Sequence, residues 1–312
     1  MKRALFTVVL LALTACGESP DPGYLLNKAR VLGALATVEG DATRSTPQPG
    51  ETLQIEWVLD APGPIPASTY FLVACTPSAQ QFGAPVCGDT PFQVEVQTEP
   101  QETPPQITIP VPADYAADSV VILGAICMGG VVTTAIDPTS SVEELRPCAT
   151  AEGVGQIVSA SVAVQYDAGD RNLRPGIARV TLGGVELTEE VTESRQACAG
   201  GSLPEVRLDD EVMMTLEAVA GSRELYQREI PGADPEEVSE DLQNSLFVTE
   251  GTLDRRFTFV DDDTPVPDFE FLAEADSDDP LPAEGRTVKF IAVMRDRRGG
   301  VDVLRRGFCL VP

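Results

Sequence analysis

Histidine is absent from the 312 residues. That removes histidine metal sites, Ser-His-Asp and Cys-His catalysis, and the usual general base near neutral pH. Lysine is scarce as well: beyond Lys2 only Lys28 and Lys289 occur, so arginine carries nearly all the positive charge. Bases of either kind number 22 against 49 acids, a net charge of −27. A surface of that sign repels phosphate backbones and anionic headgroups, which argues against nucleic acid as a partner. There is no G-x-S-x-G elbow, no G-x-G-x-x-G and no P-loop. No nucleotide site, acyl-transfer site or cofactor is therefore implied. No C-x-x-C pair occurs either, which with the missing histidine leaves a cysteine-rich metal site without a ligand set.

What is present begins with an export signal. Lys2 and Arg3 precede an apolar run from Ala4 to Leu13, and small residues follow, the pattern of a secretory signal peptide over residues 1–15. The run is far shorter than the ~20 apolar residues that span a bilayer. Leu13-Thr14-Ala15-Cys16 resembles the lipobox of bacterial lipoproteins. The resemblance implies cleavage before Cys16 and a lipid on its thiol, so the membrane is reached through an N-terminal lipid. Gly17 stands where an aspartate would signal inner-membrane retention, which favours the outer membrane, on its periplasmic face or at the cell surface.

With Cys16 assigned to the lipid, six cysteines remain: Cys75, Cys87, Cys127, Cys148, Cys198 and Cys309. An even number in an exported chain reads as three disulfides. Six cysteines allow fifteen pairings, and spacing prefers Cys75 with Cys87 and Cys127 with Cys148, leaving Cys198 with Cys309.

Hydrophobic residues make up 43% of the chain, so its acidity does not mean disorder. Residues 16–29 read as a lipidated tether, polar and aperiodic. β-Branched and aromatic runs bounded by Gly, Pro, Asp and Ser follow at 30–38, 52–59, 70–75, 92–98, 106–111 and 119–128. Leu53, Ile55 and Trp57 alternate with polar neighbours, and Phe92, Val94 and Val96 do the same, which predicts one face of each strand toward a core. Trp57, the single tryptophan, is expected in that core. The run from Cys148 to Gly155 reads as a domain junction. A second series follows at 156–166, 177–187, 211–220, 246–249, 257–260, 287–295 and 301–309, with Gly299 and Gly300 expected at positive φ in the last turn. Asp234-Pro235-Glu236-Glu237 predicts a capped short helix through Leu242. The expectation is all-β: two antiparallel sandwich domains, 30–150 and 155–312.

Phe247-Val-Thr-Glu-Gly-Thr-Leu-Asp254, with Ala292-Val-Met-Arg-Asp-Arg-Arg-Gly-Gly300 in the last hairpin, resembles the end of PKD-like or Ig-like domains of bacterial surface proteins. Pro49-Gly50-Glu51-Thr52-Leu53 leading into the strand of Trp57 gives the first domain a looser Ig-like resemblance. Both imply an Ig-like β-sandwich and no single function.

Chemistry has few candidates. Asp261-Asp262-Asp263 and Asp276-Ser277-Asp278-Asp279 could offer oxygens to calcium, but neither has EF-hand spacing, and solvated acidic loops are the expectation. Asp209-Asp210-Glu211 and Glu236-Glu237 with Glu240-Asp241 are too scattered to define an acid and base pair. Arg295, Arg297, Arg298, Arg305 and Arg306 form the one basic concentration, expected to neutralise nearby acids or else to hold an anionic glycan. The reading is a lipid-anchored envelope protein with a structural or protein-interaction role, no catalysis, and an envelope protein as its possible partner. An adhesin or glycan-binding lipoprotein and a carboxylate-only hydrolase are the alternatives.

Overall fold

The structure is a computed structural model that describes residues 22–78, 86–88, 90–133, 147–149, 153–166, 172–198, 201–228, 234–275 and 279–312. The signal segment, Cys16 and Asp276 to Asp278 lie outside the described residues. Every element among the described residues is a strand.

The first seven strands are β1 (Arg30–Val38), β2 (Thr52–Asp60), β3 (Ser68–Cys75), β4 (Gln93–Gln101), β5 (Gln106–Pro110), β6 (Ser119–Met128) and β7 (Val154–Ala163). They form one sheet in the order β1-β2-β5 and another in the order β4-β3-β6-β7. Alternation dictates the packing: Leu53, Ile55 and Trp57 leave one face of β2, and Leu72, Ile122, Ile126 and Val158 face them from the second sheet. Placement of β4 beside β3 gives the Ig-like sandwich in its fibronectin-III-like form.

The second unit contains β8 (Ile177–Leu182), β9 (Val185–Glu186), β10 (Glu205–Arg207), β11 (Glu211–Ala218), β12 (Leu225–Arg228), β13 (Glu236–Ser239), β14 (Leu242–Val248), β15 (Thr252–Leu253), β16 (Phe257–Val260), β17 (Asp268–Leu272), β18 (Arg286–Arg295) and β19 (Val301–Val311). Its sheets run β15-β17-β11-β8-β9 and β10-β19-β18-β14-β16, with β12 and β13 a separate hairpin. The inner strands repeat the first sandwich: β8-β11-β17 corresponds to β1-β2-β5, and β19-β18-β14-β16 to β7-β6-β3-β4. Phe269 and Phe290 stack at 5.8 Å and Phe271 meets Phe308 edge-on at 4.9 Å in its core. Antiparallel pairing has one exception among the strand pairs, since β10 runs parallel to β19.

Several expectations need correction. The junction at 150–155 is misplaced, because β7 pairs with β6 from Val154 to Ala163 and its Val158 and Val162 fill the first core. The tether ends earlier than residue 29: the Leu26 amide donates to the Val248 carbonyl at 2.7 Å, and Leu26 is fully buried. The helix expected after Asp234 is instead β13, whose Val238 lies opposite Tyr226 of β12. Val94 and Val96 point outward, while Gln93, Glu95 and Gln97 lie beside the core residues Ala74, Leu72 and Tyr70. In the last turn Gly299 has φ 120° as expected, but the other left-handed residue is Arg297 at 67° rather than Gly300. Gly300 is required for space instead, since a Cβ there would stand 2.1 Å from the Asp296 carboxylate.

The six cysteines pair as Cys75–Cys87, Cys127–Cys148 and Cys198–Cys309, with Cα separations of 5.5, 5.2 and 6.0 Å. Cys75 on β3 and Cys127 on β6 carry the first two bridges, and Cys309 on β19 carries the third.

Candidate functional site

The residues that converge most tightly lie where the sandwiches meet. The outer face of β1 and β2 offers Leu32 and Val58, and the outer face of β18 and β19 offers Ile291, Val293 and Val301. Leu26 is buried among them, so the N-terminal segment is the middle layer of the junction. Each such side chain removed from water contributes roughly 1.5–3 kcal/mol.

A charged knot borders this apolar contact. Asp60 at the end of β2 accepts the Lys289 ammonium at 2.7 Å on Oδ1 and the Arg305 Nε at 2.7 Å on Oδ2. Asp60 and Lys289 side chains are each 2% exposed, and Lys289 also donates to the Ala61 carbonyl at 2.7 Å. A carboxylate of the first sandwich therefore holds two cations of the second. Nearby, Asn172 donates to Ser45 Oγ at 2.8 Å and to Asp296 Oδ2 at 2.9 Å, and Arg174 donates to Thr37 Oγ1 and the Ala36 carbonyl.

The basic concentration divides. Arg305 belongs to the knot, and Arg306 donates to the Leu187 carbonyl at 2.8 Å. Arg298 reaches Glu240 at 2.6 Å and Glu224 at 2.9 Å and lies over the Tyr226 ring. Burial pushes the Glu240 carboxyl up to about 7, against the pull of Arg298. Asp296 is pushed up by burial too, while Oδ1 takes the amides of Arg298, Gly299 and Gly300 and Oδ2 takes Asn172. Glu250 is raised by burial and ion-paired to Arg286 at 2.8 Å. Each of these desolvated acids is engaged by at least one fixed donor, the geometry of a structural contact, and Glu250 Oε2 alone among their oxygens is buried without a partner.

Arg295 and Arg297 differ from their neighbours. Arg295 donates to Ser245 Oγ and to the Leu32 carbonyl, and burial pushes its guanidinium below the usual range. Arg297 is exposed, with its guanidinium 5.5 Å from the Phe259 ring centroid. Neither has a carboxylate partner among the described residues. Both line a cleft of about 420 Å³ between the open edges of β1 and β7, roofed by the β18–β19 turn. Ile55, Trp57, Val158 and Val162 form its inner wall. Trp57 is 3% exposed, and its indole N–H has no acceptor.

The outer face of the β4-β3-β6-β7 sheet is the other unusual surface. Val96, Phe71, Ala125 and Ile157 form one row across it, and Val94, Val73 and Leu123 lie in the next. Val94, Val96 and Ile157 are 48%, 43% and 41% exposed. Polar residues on the inward side of β4 explain the inversion at the sheet edge, where an inward charge such as Glu95 discourages further strand pairing.

The acidic runs do not assemble. Asp261 Oδ1 accepts the Thr264 amide at 2.7 Å, Asp262 pairs with Arg223 at 2.8 Å, and Asp279 pairs with Arg286 at 3.0 Å. Among the described residues no three acids gather at metal-binding distance. Of the aromatics that a sugar platform would use, Phe269 is buried, Phe92 packs edge-on against Tyr115, and Tyr166 and Phe257 are exposed on different sandwiches. The Asp60 knot and the cleft were not foreseen from the sequence. A buried lysine in a chain with so few was the available signal: Lys289 alternates with Val288 and Phe290 inside a continuous apolar strand.

Strand order and packing define an all-β protein of two Ig-like, fibronectin-III-like sandwiches. No protein-family model and no curated protein matches the sequence. Among solved structures, the native conformation of E. coli alpha-2-macroglobulin aligns at 15% identity and TM-score 0.25, covering 94% of this chain and 14% of that one. The fibronectin(III)-like modules of Clostridium thermocellum CbhA align at 9% identity and TM-score 0.23, covering 89% of this chain and 93% of theirs. The fold assignment rests on the strand order.

Proposed function

We propose that this chain is a bacterial outer-membrane lipoprotein, anchored through Cys16, whose fused sandwiches form a non-catalytic interaction module. The observation that supports interaction is the exposure of Val94, Val96 and Ile157 on the outer face of the β4-β3-β6-β7 sheet, on either side of the cluster in which Phe71 packs against Ala125, Val132 and Cys148. Burial of these three half-exposed β-branched side chains against a partner is favourable. The occupant we assign is a different envelope protein, because two copies of a chain with a net charge of −27 repel each other. The absorbed state of the buried acids supports a structural role for them over a carboxylate-only hydrolase. Glycan binding is the second reading, favoured by Phe257 and Phe259, each 39% exposed and each beneath an arginine.

Anchoring is tested by Cys16→Ser in the native host. The parent should incorporate labelled palmitate and sediment with membranes, and the variant should do neither. Palmitate incorporation by the variant at the parent level contradicts the assignment of Cys16.

A further inference from the structure

We propose that the cleft between β1 and β7 binds a small amphiphile with one anionic head, such as a medium-chain carboxylate. The apolar body lies against Trp57, Ile55, Val158 and Val162, and the head is held by Arg295 and Arg297. This goes beyond the interaction reading and does not depend on it.

Two independent features of the site point to that chemistry. The first is shape. A typical sandwich closes its lateral edge by interleaving side chains, but here about 420 Å³ remains open, lined along the two edges by Gly33, Ala34, Ser159, Ala160 and Ser161. That volume lies within the range of small-molecule pockets and suits a chain of roughly ten carbons.

The second feature is charge. The chain has 49 acids for 22 bases, so an arginine finds a carboxylate easily, and Arg44, Arg286, Arg298 and Arg305 all have one. Arg295 and Arg297 have none among the described residues, although Arg295 is half-buried. A desolvated guanidinium without an anion is costly, and an incoming carboxylate supplies the missing counter-charge in bidentate form.

A neutral hydrocarbon would leave the arginines without a counter-charge, and an anion without an apolar body would leave the inner wall wet. Both parts of an amphiphile are therefore needed.

Trp57 is the chain's sole tryptophan, so it reports on the site directly. The probe is 11-bromoundecanoate, whose bromine quenches an indole on contact, titrated below its micelle concentration into the full-length protein. Saturable quenching is expected, with 11-bromoundecanol binding at least about tenfold more weakly because it lacks the charge-assisted hydrogen bonds. Arg295→Gln should reduce carboxylate affinity to that of the alcohol. Because Arg295 also bonds Ser245 and Leu32, the exposed Arg297→Gln provides a second variant that leaves those contacts in place, and it should weaken the carboxylate and not the alcohol. Equal affinity for acid and alcohol, quenching that never saturates, or unchanged carboxylate affinity in Arg297→Gln overturns the proposal.

Discussion

Asp60→Asn is the perturbation that examines the junction most sharply. The substitution keeps the size of the side chain and removes the charge that neutralises Lys289 and Arg305 together. Lys289 is 2% exposed, so its ammonium cannot exchange the lost partner for water, whereas Arg305 is 28% exposed and can do so in part. Removing one member of a buried pair costs about 3–5 kcal/mol, and most of that cost should come from Lys289. With an m-value near 3 kcal/mol per molar urea, the midpoint should fall by roughly 1–1.7 M. Urea unfolding followed by Trp57 emission reads this directly, since Trp57 lies on β2 with Asp60. Lys289→Met added to Asp60→Asn should restore a large part of the loss, because the orphaned charge is then gone. A loss below about 1 kcal/mol, the scale of a surface pair, would refute the argument that this contact is a desolvated knot.

Other consequences concern protons, a crosslink and cooperativity. Glu240 titrates near 7 in the folded chain, above its ordinary value of 4.5, so the native state holds a proton that the unfolded state releases. Its contribution is fully present below about pH 4.5 and is lost as pH rises through 7. The stability difference between the parent and Glu240→Gln should therefore shift against the parent by about 2–3 kcal/mol from pH 5 to pH 8, and a pH-independent difference contradicts it. The Cys198–Cys309 disulfide spans 111 residues, and replacing both cysteines by alanine should cost about 4–5 kcal/mol in the chain-entropy model, measured by urea unfolding; a loss under 1 kcal/mol would show that the loop is held without it. Calorimetry of the parent should give one transition with matching calorimetric and van't Hoff enthalpies, and two separate transitions would show that the sandwiches unfold independently.

Much of the fold was legible because period-two patterning is local. The strands at Arg30–Val38, Ser119–Met128 and Phe257–Val260 fall where their β-branched and aromatic runs predict. The Asp268–Leu272 strand lies outside the predicted runs, although Phe269 and Phe271 alternate with acidic neighbours and are both buried. The alternation of β4 is legible in its sequence, and the direction of the alternation is not. Which face of a strand turns inward depends on the register with β3, and an edge strand can reverse the usual preference. The domain boundary failed for a related reason, since only pairing with β6 reveals that β7 completes the first sandwich.

The candidate sites were less legible. Arg295, Arg297, Arg298, Arg305 and Arg306 look alike in the sequence, yet two of them line a cleft while the rest bind carboxylates or carbonyls. Their separation comes from the left-handed turn at Arg297 and from the β1 edge that meets Arg295, both set by tertiary structure. Asp60 and Lys289 lie 229 residues apart, and no local pattern connects them.

Site-specific photocrosslinking in the intact envelope tests the central claim most directly, with the crosslinker placed in turn at Val96, at Ile157 and at Arg179 on the second sandwich. The interaction reading predicts that Val96 and Ile157 capture the same envelope protein and that Arg179 does not. Capture of only a second copy of this chain, capture of different proteins from Val96 and Ile157, or no capture from either would contradict it.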